Sequence, residues 1–189
     1  MSYKSNNATF ASKSGIKGEA AGSNPADSLS SSEVTALQAI AAETPNYVES
    51  SSCGDYTRTA ETFADVTNLS VSITVGSDDS YVEIGLLSTG SNATSYWGCE
   101  ITGGSSVSNV SAVANITRDS TIIGYFEARK QASSNTTQRI RVPVTTIKTI
   151  ESPGAGTYTY KVQLRENTSG ATTTARVFEA KLYAREIRR

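Results

Sequence analysis

There is no histidine anywhere in the 189 residues. That removes the commonest general base and the commonest metal ligand together, and it weighs against hydrolytic chemistry. Cysteine is almost as scarce. Cys53 and Cys99 allow one disulfide at most, and without a secretory leader two thiols read as reduced and buried. No apolar run approaches ~18 residues, so no membrane insertion is predicted. The opening "MSYKSNNATFASKSGIKG" lacks the apolar block of a secretory signal, which predicts a protein that stays in the cytoplasm where it is made. No glycine-rich phosphate loop, nucleophile elbow or paired-cysteine metal motif is present, so neither a cofactor nor a catalytic residue is expected.

Net charge is nearly absent too, at -1, but that value hides an asymmetry. Residues 1–117 hold 4 Lys/Arg against 12 Asp/Glu, and residues 118–189 hold 13 against 6, so the two parts carry -8 and +7. Complementary parts attract each other within a fold or between neighbouring copies. The plainer alternative is that different sheet faces are solvated by different charges. The basic residues are dispersed, which argues against a nucleic-acid partner.

What the chain does have is hydroxyl: roughly a quarter of its residues are Ser or Thr, a composition that favours strands and turns over helices. Its length suits one domain of about 100 to 150 residues plus an appendage. Three regions follow. Residues 1–32 are polar and small, with isolated apolar side chains at Tyr3, Phe10 and Ile16, and read as an extended docking arm anchored by those three. Residues 33–53 hold a short helix and linker. Ser30 caps the helix, Glu33 completes a capping box, Pro45 ends it, and Val34, Leu37 and Ile40 form a narrow stripe for packing or self-association. Residues 54–189 alternate with a period of two and read as an antiparallel β-sandwich or barrel.

Within that domain, Leu69–Val75 and Val82–Leu86 flank the turn "GSDDS" and predict a hairpin. Further strands are expected over 94–101, 111–117, 121–129, 139–149 and 158–165, with one long strand over 177–187. The apolar phase slips between Val144 and Ile147, which predicts a bulge or a strand changing sheets near Thr145 and Thr146. In "TYTYKVQLR", Tyr158, Tyr160, Val162 and Leu164 make the dry face and Thr159, Lys161, Gln163 and Arg165 the wet one.

Several signals of chemistry dissolve on inspection. Asp78 and Asp79 offer a minimal calcium turn, but no further acids lie at loop spacing, and a solvated turn is the better reading. Seven Asn-x-Ser/Thr triplets read as coincidence in a chain rich in all three residue types. Trp97 is expected to face the core, because a large aromatic dominates core energetics where it can be buried. Were they outward, Tyr81, Tyr96, Trp97 and Tyr125 would form a set able to stack on a glycan.

The order of features carries a resemblance. A polar arm, a short helix, and a Ser/Thr-rich sandwich in which "SPGAGTYTYKVQLR" leads into the penultimate strand resemble the jelly-roll virion proteins of tailed bacteriophages. These are head decoration or cement proteins, head fibres and tail-fibre tips. The resemblance covers about residues 55–189, and no long coiled shaft precedes it. It implies a jelly-roll-like sandwich, a virion location, a major capsid protein as partner and a homotrimer. It also implies a non-enzymatic capsid decoration or cement role, with a short tail-fibre or head-fibre protein binding a receptor or host glycan as the alternative.

Overall fold

The computed structural model describes residues 46–89, 94–101, 110–130, 138–167 and 173–188. The chain divides into two units, Met1–Thr44 and Pro45–Arg189, and every described residue belongs to the second. The expected arm and helix lie outside the described residues.

Twelve strands are described: β1 Tyr47–Glu49, β2 Asp55–Arg58, β3 Ala64–Val75, β4 Tyr81–Ser88, β5 Tyr96–Ile101, β6 Val110–Arg118, β7 Thr121–Lys130, β8 Gln138–Pro143, β9 Lys148–Glu151, β10 Gly156–Glu166, β11 Thr173–Phe178 and β12 Ala180–Ile187. All pair antiparallel, in the orders β1-β12-β4-β9, β2-β11-β5-β8 and β3-β10-β6-β7. The first two orders match position for position. Each of four chain passes, β1/β2, β4/β5, β8/β9 and β11/β12, runs through one four-stranded half and then the other. They form one layer broken along a seam.

With each broken pass counted once there are eight spans. The first neighbours the eighth, the second the seventh, the third the sixth and the fourth the fifth. That is the strand order of a jelly roll. The unbroken sheet closes the sandwich, and its inward residues Ile73, Ile116, Tyr160 and Leu164 share one core with Ile84, Leu182, Trp97 and Val177 from the broken layer. Each large apolar side chain buried there contributes about 1.5–3 kcal/mol.

Local chemistry explains the seam. Pro143 is followed by a 3-10 turn over Val144–Thr146, and Trp97 Nε1 donates to Thr146 Oγ1 at 2.9 Å. Glu179 adopts a left-handed φ of 51°; its N–H donates to Gly54 O at 2.7 Å, and its carbonyl accepts from Ser95 Oγ at 2.5 Å. The phase slip at Thr145 and Thr146 therefore marks a strand changing halves, as the sequence predicts.

Two expectations need correction. Residues 69–75 and 82–86 do not form a hairpin: β3 pairs with β10, whereas β4 pairs with β12 and β9. Gly76–Ser80 instead arches between layers. Five residues easily span the ~10 Å between packed sheets. The long strand over 177–187 is two strands, because Glu179 turns the chain across the seam. Strand structure also begins at Tyr47, inside the stretch read as a linker, where β1 pairs with β12. Among the described strands β6/β7 is the only sequence-adjacent pair.

The dry face of β10 is as expected, with Tyr160, Val162 and Leu164 buried and Tyr158 partly so. The turn before it wraps the Tyr158 hydroxyl, which donates to Pro153 O at 2.9 Å. Gly156 has φ 154°, and a Cβ there would stand 2.9 Å from that hydroxyl.

Candidate functional site

Of the four nominated aromatics, only Tyr125 is well exposed, at 55%. Tyr81 is half-buried on β4. Trp97 is buried in the core, as expected of it. Tyr96 points to the outer face of its half-sheet but is covered there. Phe178 stacks on it at 5.4 Å between ring centroids, and the Arg141 guanidinium sits 4.4 Å from its ring. Neither Tyr96 nor Trp97 therefore presents a free ring face to a glycan. Val34, Leu37, Ile40, Tyr3, Phe10 and Ile16 lie outside the described residues.

Cys53 and Cys99 are free. Burial pushes the Cys99 thiol pKa up to about 11, so it is a protonated core residue and not a nucleophile. Asp78 caps the neighbouring turn, its Oδ1 accepting from Ala155 N at 2.7 Å. Among the described residues no group of three His, Cys, Asp or Glu could hold a metal ion. Asn115, which starts one of the seven triplets, is fully buried on β6 and out of reach of a modifying enzyme.

What the fold does assemble is a charge pattern on the outer face of the broken layer. In the half containing β1, the strand order reads acid, base, acid, base: Glu49 on β1, Lys181 and Arg185 on β12, Glu83 on β4 and Lys148 on β9. The other half repeats it with Asp55 on β2, Arg176 on β11, Glu100 on β5 and Arg139 on β8. Cross-strand opposite charges stabilise a sheet modestly, by roughly 0.2–1 kcal/mol per pair.

Glu83 is the best-connected member. It accepts from Lys148 Nζ at 2.6 Å, Tyr183 Oη at 2.8 Å and Arg185 at 3.2 Å. The Lys148 bond, with help from Tyr183, holds its carboxyl below the usual range. Burial and the same carboxylate push the Tyr183 hydroxyl up to about 12. The Tyr183 ring lies against Gly85, where a Cβ would stand 3.0 Å from it, so a bare backbone gives the ring its seat. Tyr47 stacks on Tyr183 at 6.3 Å between centroids and donates its hydroxyl to Glu49, a bond that raises the Tyr47 pKa to about 12.

A second carboxylate, Glu186 on β12, is buried at the end of the sandwich. Its Oε1 accepts from Gly76 N at 2.9 Å and Ser80 Oγ at 2.8 Å, while its Oε2 accepts from Asn46 N at 3.4 Å. Asn46 Nδ2 also donates to Thr74 O in the unbroken sheet, at 2.6 Å. Burial raises the Glu186 pKa, but the Gly76, Ser80 and Asn46 donors outweigh it and the net shift is downward. None of these groups was nominated from sequence. The alternation of Lys181, Tyr183 and Arg185 with the apolar Ala180, Leu182 and Ala184 was visible, but the acids that face the two bases come from strands far away in the chain.

No family model and no curated protein matches the chain. Among solved structures it is similar to infectious bursal disease virus Gt strain, at 11% identity and a TM-score of 0.38 over 77% of this chain and 34% of that one. The infectious bursal disease virus VP2 subviral particle is similar at 12% identity and a TM-score of 0.34 over 76% and 33%. Dimeric latent PorU from Porphyromonas gingivalis follows at 6% identity and 0.28 over 75% and 13%. The chain spans about a third of the length of the virus chains it matches, and TM-scores of this size fall short of a shared overall superposition.

Proposed function

We propose that this is a non-enzymatic structural protein of a bacteriophage virion, a capsid decoration or cement protein. Residues 1–32 dock on the major capsid protein through Tyr3, Phe10 and Ile16, the Val34, Leu37 and Ile40 stripe packs the helix, and the sandwich associates with copies of itself as a trimer. The observation that carries this reading is the jelly-roll strand order. Viral capsid proteins, lectin-type domains and cupins use that architecture. Cupin-type metal chemistry needs imidazole ligands, and the chain has no histidine. A sugar platform needs several exposed aromatics on one face, and of the four candidates Tyr96 and Trp97 are covered, leaving Tyr125 exposed and Tyr81 half-buried on different strands. An ion-paired outer face on a well-packed core suits assembly. Many weak contacts would bridge capsid subunits, and they must exceed the entropy lost when the arm orders on docking.

The test is incubation with stripped or expanded capsids. Co-sedimentation that disappears on deleting residues 1–32 is the expected result. Adhesion to host cells or glycan arrays by the protein, without capsid binding, overturns it in favour of a short tail-fibre or head-fibre receptor-binding role.

A further inference from the structure

The charge columns of the broken layer end unfinished. Interior Glu83 has a cation on each side, Arg185 on β12 and Lys148 on β9. Among the described strands, Glu49, on the β1 edge, has only the Lys181 column beside it, and Lys148, on the β9 edge, has only the Glu83 column. The edge residues fall in two complete rows across the sheet. One reads Tyr47, Arg185, Glu83, Ile150, and the next reads Glu49, Tyr183, Gly85, Lys148. If the sheet were continued by another copy in the same orientation, β1 of the newcomer would lie antiparallel to β9. Row for row, Lys148 would then face Glu49 and Ile150 would face Tyr47.

Those two meetings suit the side chains. Tyr47 is 50% exposed and Ile150 is 54% exposed, and the remaining large exposed apolar residues among those described, Ile122 and Tyr125, lie on β7. β7 runs beside β9, where Thr149 Oγ1 donates to Ile123 O. Charge agrees over the wider edges. Residues 46–75 hold four acids against one arginine, and the described residues of 121–151 hold five bases against two acids. The two edges are thus complementary to each other and unlike themselves, which favours head-to-tail over two-fold contact.

We propose that copies of this chain associate head to tail, the β9 edge of one seating on the β1 edge of the next, with Lys148 against Glu49 and Ile150 against Tyr47. A lysine placed beyond Glu49 gives it the two-sided environment Glu83 already has, and the Tyr47 and Ile150 side chains leave water together. A head-to-tail contact of this kind closes into a ring when its rotation divides a full turn. The inference deepens the self-association in the proposed function and rests on that part alone.

Sedimentation of the full chain at micromolar concentration reads it directly. The wild type is expected to associate. Lys148→Glu and Glu49→Lys should each weaken association about tenfold or more, since like charges then meet. The double exchange should recover most of the loss, while Asp79→Lys, at an exposed position of the Gly76–Ser80 arch, should change nothing. A second readout is independent of charge. Within one copy Tyr47 and Ile150 sit three strand spacings apart, about 14 Å, too far for a disulfide. Tyr47→Cys with Ile150→Cys in one chain should therefore give covalent oligomers on mild oxidation, and neither substitution alone should exceed the wild type. A monomeric wild type, no recovery in a folded double exchange, or a crosslink formed by Ile150→Cys alone overturns the head-to-tail contact. Capsid co-sedimentation is scored separately, so loss of this contact with capsid binding intact leaves the docking role standing.

Discussion

The two layers of this sandwich solve the same problem differently. In the unbroken sheet β3 and β10 run 12 and 11 residues, and β3 absorbs its one slip in a bulge at Asn68, whose φ is 66°. In the opposite layer all four passes break at one seam, with a different device in each: Gly54 at φ 59°, the Val144–Thr146 turn, the Ser88 to Ser95 hydroxyl contact and Glu179. A bulge re-phases one strand and leaves its neighbours alone. A seam must be coordinated across four strands far apart in sequence: Trp97 Nε1 ties in the β8/β9 pass through Thr146, and the other three passes meet in hydrogen bonds at the backbone of Glu179. Ser52 Oγ and Thr89 Oγ1 both donate to its Oε2 at 3.3 Å.

The largest effect should come from removing what pins the seam to the core. Trp97 packs in the shared core and bonds to Thr146 in the break. Trp97→Ala should cost about 3–5 kcal/mol, measured by urea denaturation. Trp97→Phe keeps much of the packing and loses the bond, so it should cost less; equal losses would show that the indole contact with Thr146 dominates.

Next is the tie between layers. Glu186 joins the arch at Gly76 and Ser80 to Asn46, which itself reaches the unbroken sheet. Glu186→Gln places an amide against donors and should cost about 1–3 kcal/mol near neutral pH. The native carboxyl titrates below its unfolded value, so its contribution is complete above about pH 4.3 and is lost as pH falls through the lower folded value. Stability of the wild type should therefore drop in acid more steeply than that of Glu186→Gln. Parallel acid limbs in chemical denaturation would show that Glu186 does not govern this window. Glu83, lowered by Lys148 and Tyr183, keeps part of the acid limb in both proteins.

How much of this was legible in advance follows from the range of each signal. Alternation shows which side of a strand is dry, so the β10 faces were readable, while the inward Trp97 was readable from the apolar bulk of its ring. The slip before Ile147 was local and also readable. Alternation does not say which strand lies beside which, so β3 and β4 look like a hairpin although they occupy opposite layers. Glu179 gives no local warning at all, because left-handed backbone is usually announced by Gly or Asn, and here long-range hydrogen bonds hold a glutamate there. The charge columns were visible only as an imbalance of -8 and +7 between two parts of the chain. Jelly-roll pairing interleaves early strands with late ones, which turns that imbalance into alternation.

The smallest prediction separates seam from sheet most sharply. Glycine inside a regular strand costs about 1 kcal/mol through lost entropy and packing, so Thr159→Gly on the outer face of β10 should destabilise by that amount, with the Ser72 Oγ contact at 2.9 Å lost as well. At Glu179 the same substitution removes two long side-chain bonds but relieves a left-handed conformation that disfavours any Cβ. These oppose each other, and Glu179→Gly should fall within about 0.5 kcal/mol of the wild type. Comparing the two variants by thermal and urea denaturation isolates the backbone term. If Glu179→Gly is as damaging as Thr159→Gly or worse, the carboxylate bonds to Ser52 and Thr89 hold the seam, and its geometry depends on that side chain more than on the turn.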